Sequence, residues 1–453
     1  MIRDFNGRGI PNIMTQDNAA NNNQPLILLA LNEVNFEYLK AYAAKGDLPN
    51  FARVFGDVPV INTSSEKAYH ELEPWIQWVS IQTGKTYSEH GIFRLGDMVD
   101  ADFDQIWEHL EQKYGITTAA VSPMNAANRL KKPAFFIPDP WTQTNVSGHW
   151  LIRKLSSAVA NAVNENATGR SKLSTYFYVL LGLMRYSLFR HHLKSAVQVL
   201  KAMRKHYQRA ILLDTLLTDM FISEWKDKKP GFATLFLNGC AHIQHHYMFN
   251  SSCYTGKNRN PEWYLKPGED PLRAGYIAYD KILGQLMKLP NNPRILMATG
   301  LHQNPVEKPI FYWRLTDHKG FLSALGMTYR DVFPRMSRDF LVTFDNDKDA
   351  MAGEKLLKSC HATDGQAMFG EIENRGNSLF ITLTYPDDIK EGFMVKCGAT
   401  LIPDFNEMVS FVAIKNGEHD GEGYFVDLAN RVTPQKPLPI TDIFMVIDKH
   451  FAA

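Results

Sequence analysis

The chain of 453 residues is poor in cysteine, in long apolar runs and in net charge. Its four cysteines, Cys240, Cys253, Cys360 and Cys397, lie far apart and show no CxxC spacing. That argues against a disulfide framework and for a reducing, cytoplasmic setting. The nearest approach to a membrane segment is the apolar stretch 175–184, about half the roughly 20 residues a span requires, and Arg185 ends it. It reads as a buried or interfacial helix. Residues 1–23 are polar and rich in Asn, with no apolar core of a signal peptide, so 1–24 is expected to be a disordered lead-in. No internal repeat is present. The 49 basic and 48 acidic residues nearly cancel, and no nucleic-acid partner is expected.

What is present is the composition of a soluble globular protein, 45% apolar and 21% charged. The neutral average hides an asymmetry. Residues 151–209 carry eleven Lys and Arg against the single acid Glu165. A block this basic suits an anionic substrate or surface, peripheral membrane contact included; a solvated helical face is the plainer alternative.

Short apolar runs at 25–31, 116–121, 232–237 and 294–298 have the length and continuity of parallel strands covered on both faces. Helical patterns separate them, with a mostly helical, basic insertion at about 150–225. The expected fold is therefore α/β, a doubly wound and mostly parallel sheet with helices on both faces. This core spans 25–335. From 336 to 415 the texture becomes antiparallel and turn-rich, and 416–453 returns to the core. Ligands of such sheets bind beyond the carboxyl ends of the strands. Asn32, Asn238 and His302 all sit at such ends.

A polar loop at 71–73 enters a helix at Pro74 and leaves it through Thr83-Gly84, with His90-Gly91-Ile92 close behind. Together with the strand ending in Asn32-Glu33, the Leu48-Pro49-Asn50-Phe51 segment, Asn238-Gly-Cys-Ala-His242, Leu301-His302 and Gly417-Glu-His419-Asp-Gly421, this order resembles the alkaline phosphatase superfamily, and most closely its type I phosphodiesterase/nucleotide pyrophosphatase branch. The resemblance implies a hydrolase whose two metal ions, usually zinc, are held by Asp and His, one of them activating a Ser or Thr nucleophile. His90-Gly91 is implied to shape the turn after the helix.

The departures concern the chemistry itself. The three aspartates of that pattern fall on Asn32, Asn238 and Leu301, while its histidines survive as His242, His302 and His419. The nucleophile slot falls on Glu73 or Pro74, neither of which offers a hydroxyl. The resemblance therefore implies at most a single zinc or other divalent ion on His242, His302 and His419, with no metal as the alternative. Catalytic candidates are Glu73, Glu33 and His302; Asn32, Gln77, Asn238, His245 and Gln303 are candidates for holding substrate. Trp75, Trp78, Tyr247 and Trp313 could stack on a sugar or base, although core packing explains Trp78 equally well.

Three readings follow. The first is a variant hydrolase acting on an anionic ester or glycoconjugate linkage. The second is a metal-independent glycosidase-like enzyme using Glu33 and Glu73. The third is a non-catalytic relative that binds an anionic ligand. Against catalysis, Glu33 and Glu73 are each explained by acids favoured near helix N-termini, with Pro74 as a first-turn residue.

Overall fold

Alternate residues of the first apolar run point to opposite faces of one sheet, and each face has its own core. Ile27, Leu29 and Leu31 join a cluster with Phe36, Phe51, Trp225 and Tyr276. Leu26, Leu28 and Ala30 join another with Trp78, Trp107, Phe136 and Ile447. A strand buried on both sides needs apolar residues at every position, which is why its sequence runs without alternation. The structure is a computed structural model that describes residues 24–165, 173–188, 200, 202, 205–335, 338–430 and 436–452. Residues 1–23 of the expected lead-in and part of the basic block lie outside the described residues.

The strands in chain order are β1 (Leu26–Leu31), β2 (Ile61–Ser64), β3 (Thr118–Val121), β4 (Phe135–Ile137), β5 (Phe232–Leu237), β6 (Arg294–Ala298) and β7 (His302–Leu315). Then come β8 (Asp331–Pro334), β9 (Asp339–Thr343), β10 (Cys360–Ala362), β11 (Glu371–Asn374), β12 (Ser378–Thr382), β13 (Val395–Cys397) and β14 (Thr400–Ile402). The last are β15 (Val409–Asp420), β16 (Glu422–Asp427) and β17 (Leu438–Pro439). Eight of them form the main sheet in the order β17-β2-β16-β6-β1-β5-β3-β4. Within it β6, β1, β5, β3 and β4 run parallel, and β16 is antiparallel to both β6 and β2. The α/β expectation holds, with β16 as the antiparallel member that the apolar pattern did not mark.

A four-stranded sheet, β11-β12-β9-β8, and a three-stranded one, β10-β13-β14, make up the smaller antiparallel region around its own core of Phe340, Leu357 and Phe405. The stretch near 408–414 opens β15, which pairs antiparallel with β7, and its Val409, Met408 and Phe411 pack on this smaller core. This long two-stranded ribbon sets Gln303 opposite His419 and His302 opposite Asp420. One expectation is corrected here. Cys360 and Cys397 stand opposite each other in β10 and β13 and form a disulfide, while Cys240 and Cys253 are free. Their separation of 37 residues gave no hint of it, since strand pairing and not spacing brings them together.

Two helices are fixed in ways that matter below. The helix Pro74–Thr83 begins with Pro at its first turn and ends at Gly84 in the left-handed region (φ 68°), the usual terminator because it carries no Cβ. The helix Pro49–Asp57 has no cap of its own. Instead the buried carboxylate of Asp280 accepts from the Asn50 and Phe51 backbone N–H groups at 2.8 and 2.9 Å, and from Asn50 Nδ2 at 2.8 Å. Charged acceptors at helix N-termini satisfy donors that would otherwise be orphaned. Asp280→Ala is therefore expected to lower the unfolding free energy by about 2–4 kcal/mol, since it strands several donors at once. Urea denaturation of the variant checks this; an unchanged midpoint contradicts it.

Candidate active site

Glu33 lies two residues beyond the end of β1 and adopts φ 57°, a left-handed conformation unusual for a residue with a long side chain. That turn swings its carboxylate inward across the ends of the strands, where it is 3% exposed. Asn32 Nδ2 donates to its Oε1 at 2.7 Å. Its Oε2 receives a short bond from Gln303 Nε2 and faces the Nε2 atoms of His245 at 3.0 Å and His419 at 3.1 Å. Burial alone would push this carboxyl up. The His419 and His245 rings and their hydrogen bonds outweigh it and hold Glu33 well below the usual carboxylate range. Glu33 is thus a buried, fixed anion. The helix Phe36–Ala44 is capped by Asn35, so the helix-terminal explanation of Glu33 does not apply.

Asn32 is equally committed. Its Oδ1 accepts from Trp78 Nε1 at 2.7 Å and its amide also donates to Asn238 Oδ1 at 2.8 Å. The indole of Trp78, on the helix Pro74–Thr83, is buried and serves as a positioning donor. Gln303 also donates to the Ala241 carbonyl at 3.1 Å. Gly417 lies so close that a Cβ there would meet Gln303 Oε1 at 2.3 Å, which explains the glycine.

His245 comes from the helix Gly239–Tyr247 and His419 from β15. Each turns Nε2 toward Glu33 and Nδ1 outward. His245 Nδ1 meets the Gly417 carbonyl at 3.4 Å, and His419 Nδ1 lies 3.8 Å from Glu73 Oε2. Burial pulls His419 down, but the Glu33 charge and hydrogen bond and the Glu73 charge carry it above the ordinary imidazole range. Glu73 occupies the N-cap position of its helix yet makes no side-chain cap bond, so its carboxylate is left for the cavity. Burial there raises its pKa, with Glu33 adding to the rise and His419 opposing it.

These groups open into a cavity of about 530 Å³. Glu33, Glu73, Asn238, His242, His245, His246 and His419 line one part, with Lys415 and Glu418 beside them. Trp75, Leu95, Met124, Trp141, Tyr69 and Tyr312 line the rest. Gln77 and His302 do not reach it. Gln77 is fully buried and donates to the Glu71 carbonyl at 2.7 Å, which shapes the loop before Glu73. His302 Nδ1 donates to the Glu422 carbonyl at 2.7 Å and its ring packs against Tyr424. Of the aromatic candidates only Trp75 faces the cavity; Tyr247 stacks on Tyr264 and Trp313 packs in the smaller region.

The expected ligand trio of His242, His302 and His419 is not what the structure assembles. Glu33, His245 and His419 instead offer ligand atoms that all lie within 4.8 Å of one another. One carboxylate and two imidazoles are a donor set that fits a divalent ion such as zinc. The outer nitrogens fit as well, because ligating imidazoles commonly turn their second nitrogen to a carbonyl or carboxylate. A two-ion centre does not fit: Asn32 is spent on hydrogen bonds to Trp78, Asn238 and Glu33, Asn238 accepts from Asn32, and Leu301 offers no ligand atom.

Comparison with known proteins bears on this geometry. The model of the family Type I phosphodiesterase / nucleotide pyrophosphatase matches residues 26–294. The chain belongs to that family. It lies in the alkaline phosphatase superfamily and is of the phosphoester hydrolase class. A search of curated proteins finds no match. Among solved structures, the chain is similar to phosphonoacetate hydrolase from Sinorhizobium meliloti 1021 in complex with phosphonoacetate, at 13% identity and TM-score 0.44, covering 95% of this chain and 96% of that one. Murine ectonucleotide pyrophosphatase/phosphodiesterase 5 gives 11% and 0.41, covering 95% of each chain. The alkaline phosphatase PafA gives 12% and 0.42, covering 95% and 96%. Family membership rests on the sequence match.

Several site residues carried no signal in the sequence alone. Lys415 is one, an ordinary-looking lysine on a strand. Asn125, in a left-handed turn after β3 (φ 50°), is another: it donates to the Trp75 and Arg94 carbonyls and so ties two cavity loops together. Asp214 is the third. Wholly buried, it accepts from the Gly239 N–H and Tyr279 hydroxyl, each at 2.7 Å, and so anchors the start of the helix that carries His245. Burial outweighs those bonds and pushes its carboxyl up to about 6. The unfolded chain then releases this proton at lower pH than the folded one. Stability should fall as pH rises from about 4 to about 6, by up to about 3 kcal/mol from this group. Asp214→Asn is expected to flatten that part of the stability profile. A profile identical to wild type in denaturant titrations across this window contradicts the assignment.

Proposed function

We propose that this protein hydrolyses a small anionic phosphoester, or an anionic linkage in a glycoconjugate, by direct attack of water, with one divalent ion held by Glu33, His245 and His419. The observation that supports this best is the pairing of two unlike carboxylates across His419. Glu33 is held ionised by four donors, whereas Glu73 has a raised pKa and faces the open cavity. Two carboxylates whose environments push them apart mark a division of labour. The first suits charge-holding; the second suits proton transfer.

When bound, the ion would supply Lewis-acid polarisation of the substrate's oxygen and lower the pKa of a bound water. The chain's own residues do the rest. Glu73, in the slot where the family places its hydroxyl nucleophile, takes the proton of the attacking water. Pro74 and the first turn behind it fix the Glu73 backbone. Lys415, whose pKa burial lowers, brings a positive charge to the cavity wall for the substrate's anion. Trp75, Trp141 and Met124 give the leaving group an apolar wall. Asn32 and Gln303 hold Glu33 in place.

The glycosidase-like reading fits less well. Glu33 has both oxygens engaged and holds no proton to donate, which leaves Glu73 without a free partner. A purely binding role does not account for a carboxylate of raised pKa facing the cavity.

Glu73→Gln is expected to lower kcat on a diester such as bis-p-nitrophenyl phosphate by about 10²–10⁴-fold with little change in KM. Lys415→Ala should chiefly raise KM. Assays should include phosphate monoester, sulfate ester and glycoside substrates. Full turnover by Glu73→Gln, or activity on glycosides alone, contradicts the proposal.

A further inference from the structure

The helices Trp150–Glu165 and Leu173–Gly182 pack against each other beside the core, and Gly182 permits the approach: a Cβ there would lie 2.7 Å from Leu155. The inward side of this pair is apolar and buried, with Ile152, Leu155, Leu183 and Tyr186 in the main core cluster. The outward side is apolar too. Phe177, Leu180 and Met184 are 56%, 51% and 43% exposed. Their spacing of three and four residues puts them along one stripe, and a stripe of this kind on a soluble protein marks a contact surface. Trp150 and Leu200 add exposed apolar area nearby in sequence, at 52% and 58%.

What could cover the stripe is indicated by its charge. Arg153 and Lys154 are exposed on the first of these helices, and Arg185 on the turn Leu183–Leu188 that follows the second. They belong to the block 151–209, where eleven basic residues meet one acid. Lys205 of this block is paired with Glu269, so part of the charge is spent within the fold. Arg185 also lies near the acids Glu224 and Asp227, which sit outside the block. A second copy of the chain would bring like charges together, whereas an anionic lipid surface accepts both features at once. Apolar and aromatic side chains enter the headgroup boundary while Lys and Arg meet the phosphates. Among the described residues no helix is long and apolar enough to cross a membrane, which leaves contact from one side.

We propose that the face formed by Phe177, Leu180, Met184, Arg153, Lys154 and Arg185 docks the protein on the surface of an anionic lipid bilayer.

Co-sedimentation of the full chain with phosphatidylcholine vesicles, with and without 30 mol% phosphatidylglycerol (about one anionic lipid in three), tests this. Binding is expected to the anionic vesicles only, to weaken at high salt, and to fall at least 10-fold in Phe177→Glu/Leu180→Glu. The same double variant should keep wild-type turnover of a soluble diester and wild-type thermal unfolding, which separates lost docking from lost folding. Equal binding to neutral vesicles, no binding to either, or a dimer in light scattering that the double variant dissociates would overturn the proposal.

Discussion

Everything at the carboxyl ends of the strands is arranged around one buried negative charge. An ionised carboxylate taken out of water is strongly disfavoured unless donors replace the lost hydration. Glu33 obtains them from four sources: its neighbour Asn32, Gln303 on β7, His419 on β15 and His245 on a helix of the core. The main sheet, the β7–β15 ribbon and a covering helix must all be assembled before that charge is satisfied. The left-handed backbone at Glu33 is tolerated because so much of the fold determines where its side chain goes.

This gives the missing aspartates a physical sense. Asn32 and Asn238 are not vacant ligand positions. Asn32 accepts from Trp78, donates to Asn238 and donates to Glu33, three bonds of which an aspartate could make only the first. In this structure the acid is Glu33, and Asn32 beside it is a supporting residue. On the helix Gly239–Tyr247 it is His245, almost one turn beyond His242, whose imidazole reaches Glu33. The carboxylate at Glu73 completes the set by facing the outer nitrogen of His419. The proposed single-ion chemistry follows from these displacements taken together.

Much of the scaffold was legible in the residues. Four buried strands and the helix entered at Pro74 follow from apolar runs, Pro and Gly, because a doubly covered strand admits little else. β2 and β17 were not legible, since short strands with mixed exposure lack a pattern of their own, and β16 mixes Glu422, Gly423 and Asp427 with its apolar residues. The disulfide was hidden for the same reason that the ribbon register was: pairing between distant strands is not written in local spacing. Glu33, Glu73 and His419 were singled out from the residues and do line the cavity, whereas His245 and not His302 joins Glu33 and His419 there. His302 sits one residue into β7, and the alternation of that strand turns it toward Glu422 and Tyr424 while Gln303 turns toward Glu33. A one-residue difference in facing decides which becomes part of the site.

The most direct measurement is the metal content of the purified chain and of four folded variants by inductively coupled plasma mass spectrometry. One divalent ion per chain is expected in the wild type, retained in His302→Ala and His242→Ala, and lost in Glu33→Gln and His245→Ala. Two ions per chain, or an ion that survives His245→Ala but not His302→Ala, would contradict the relocated site.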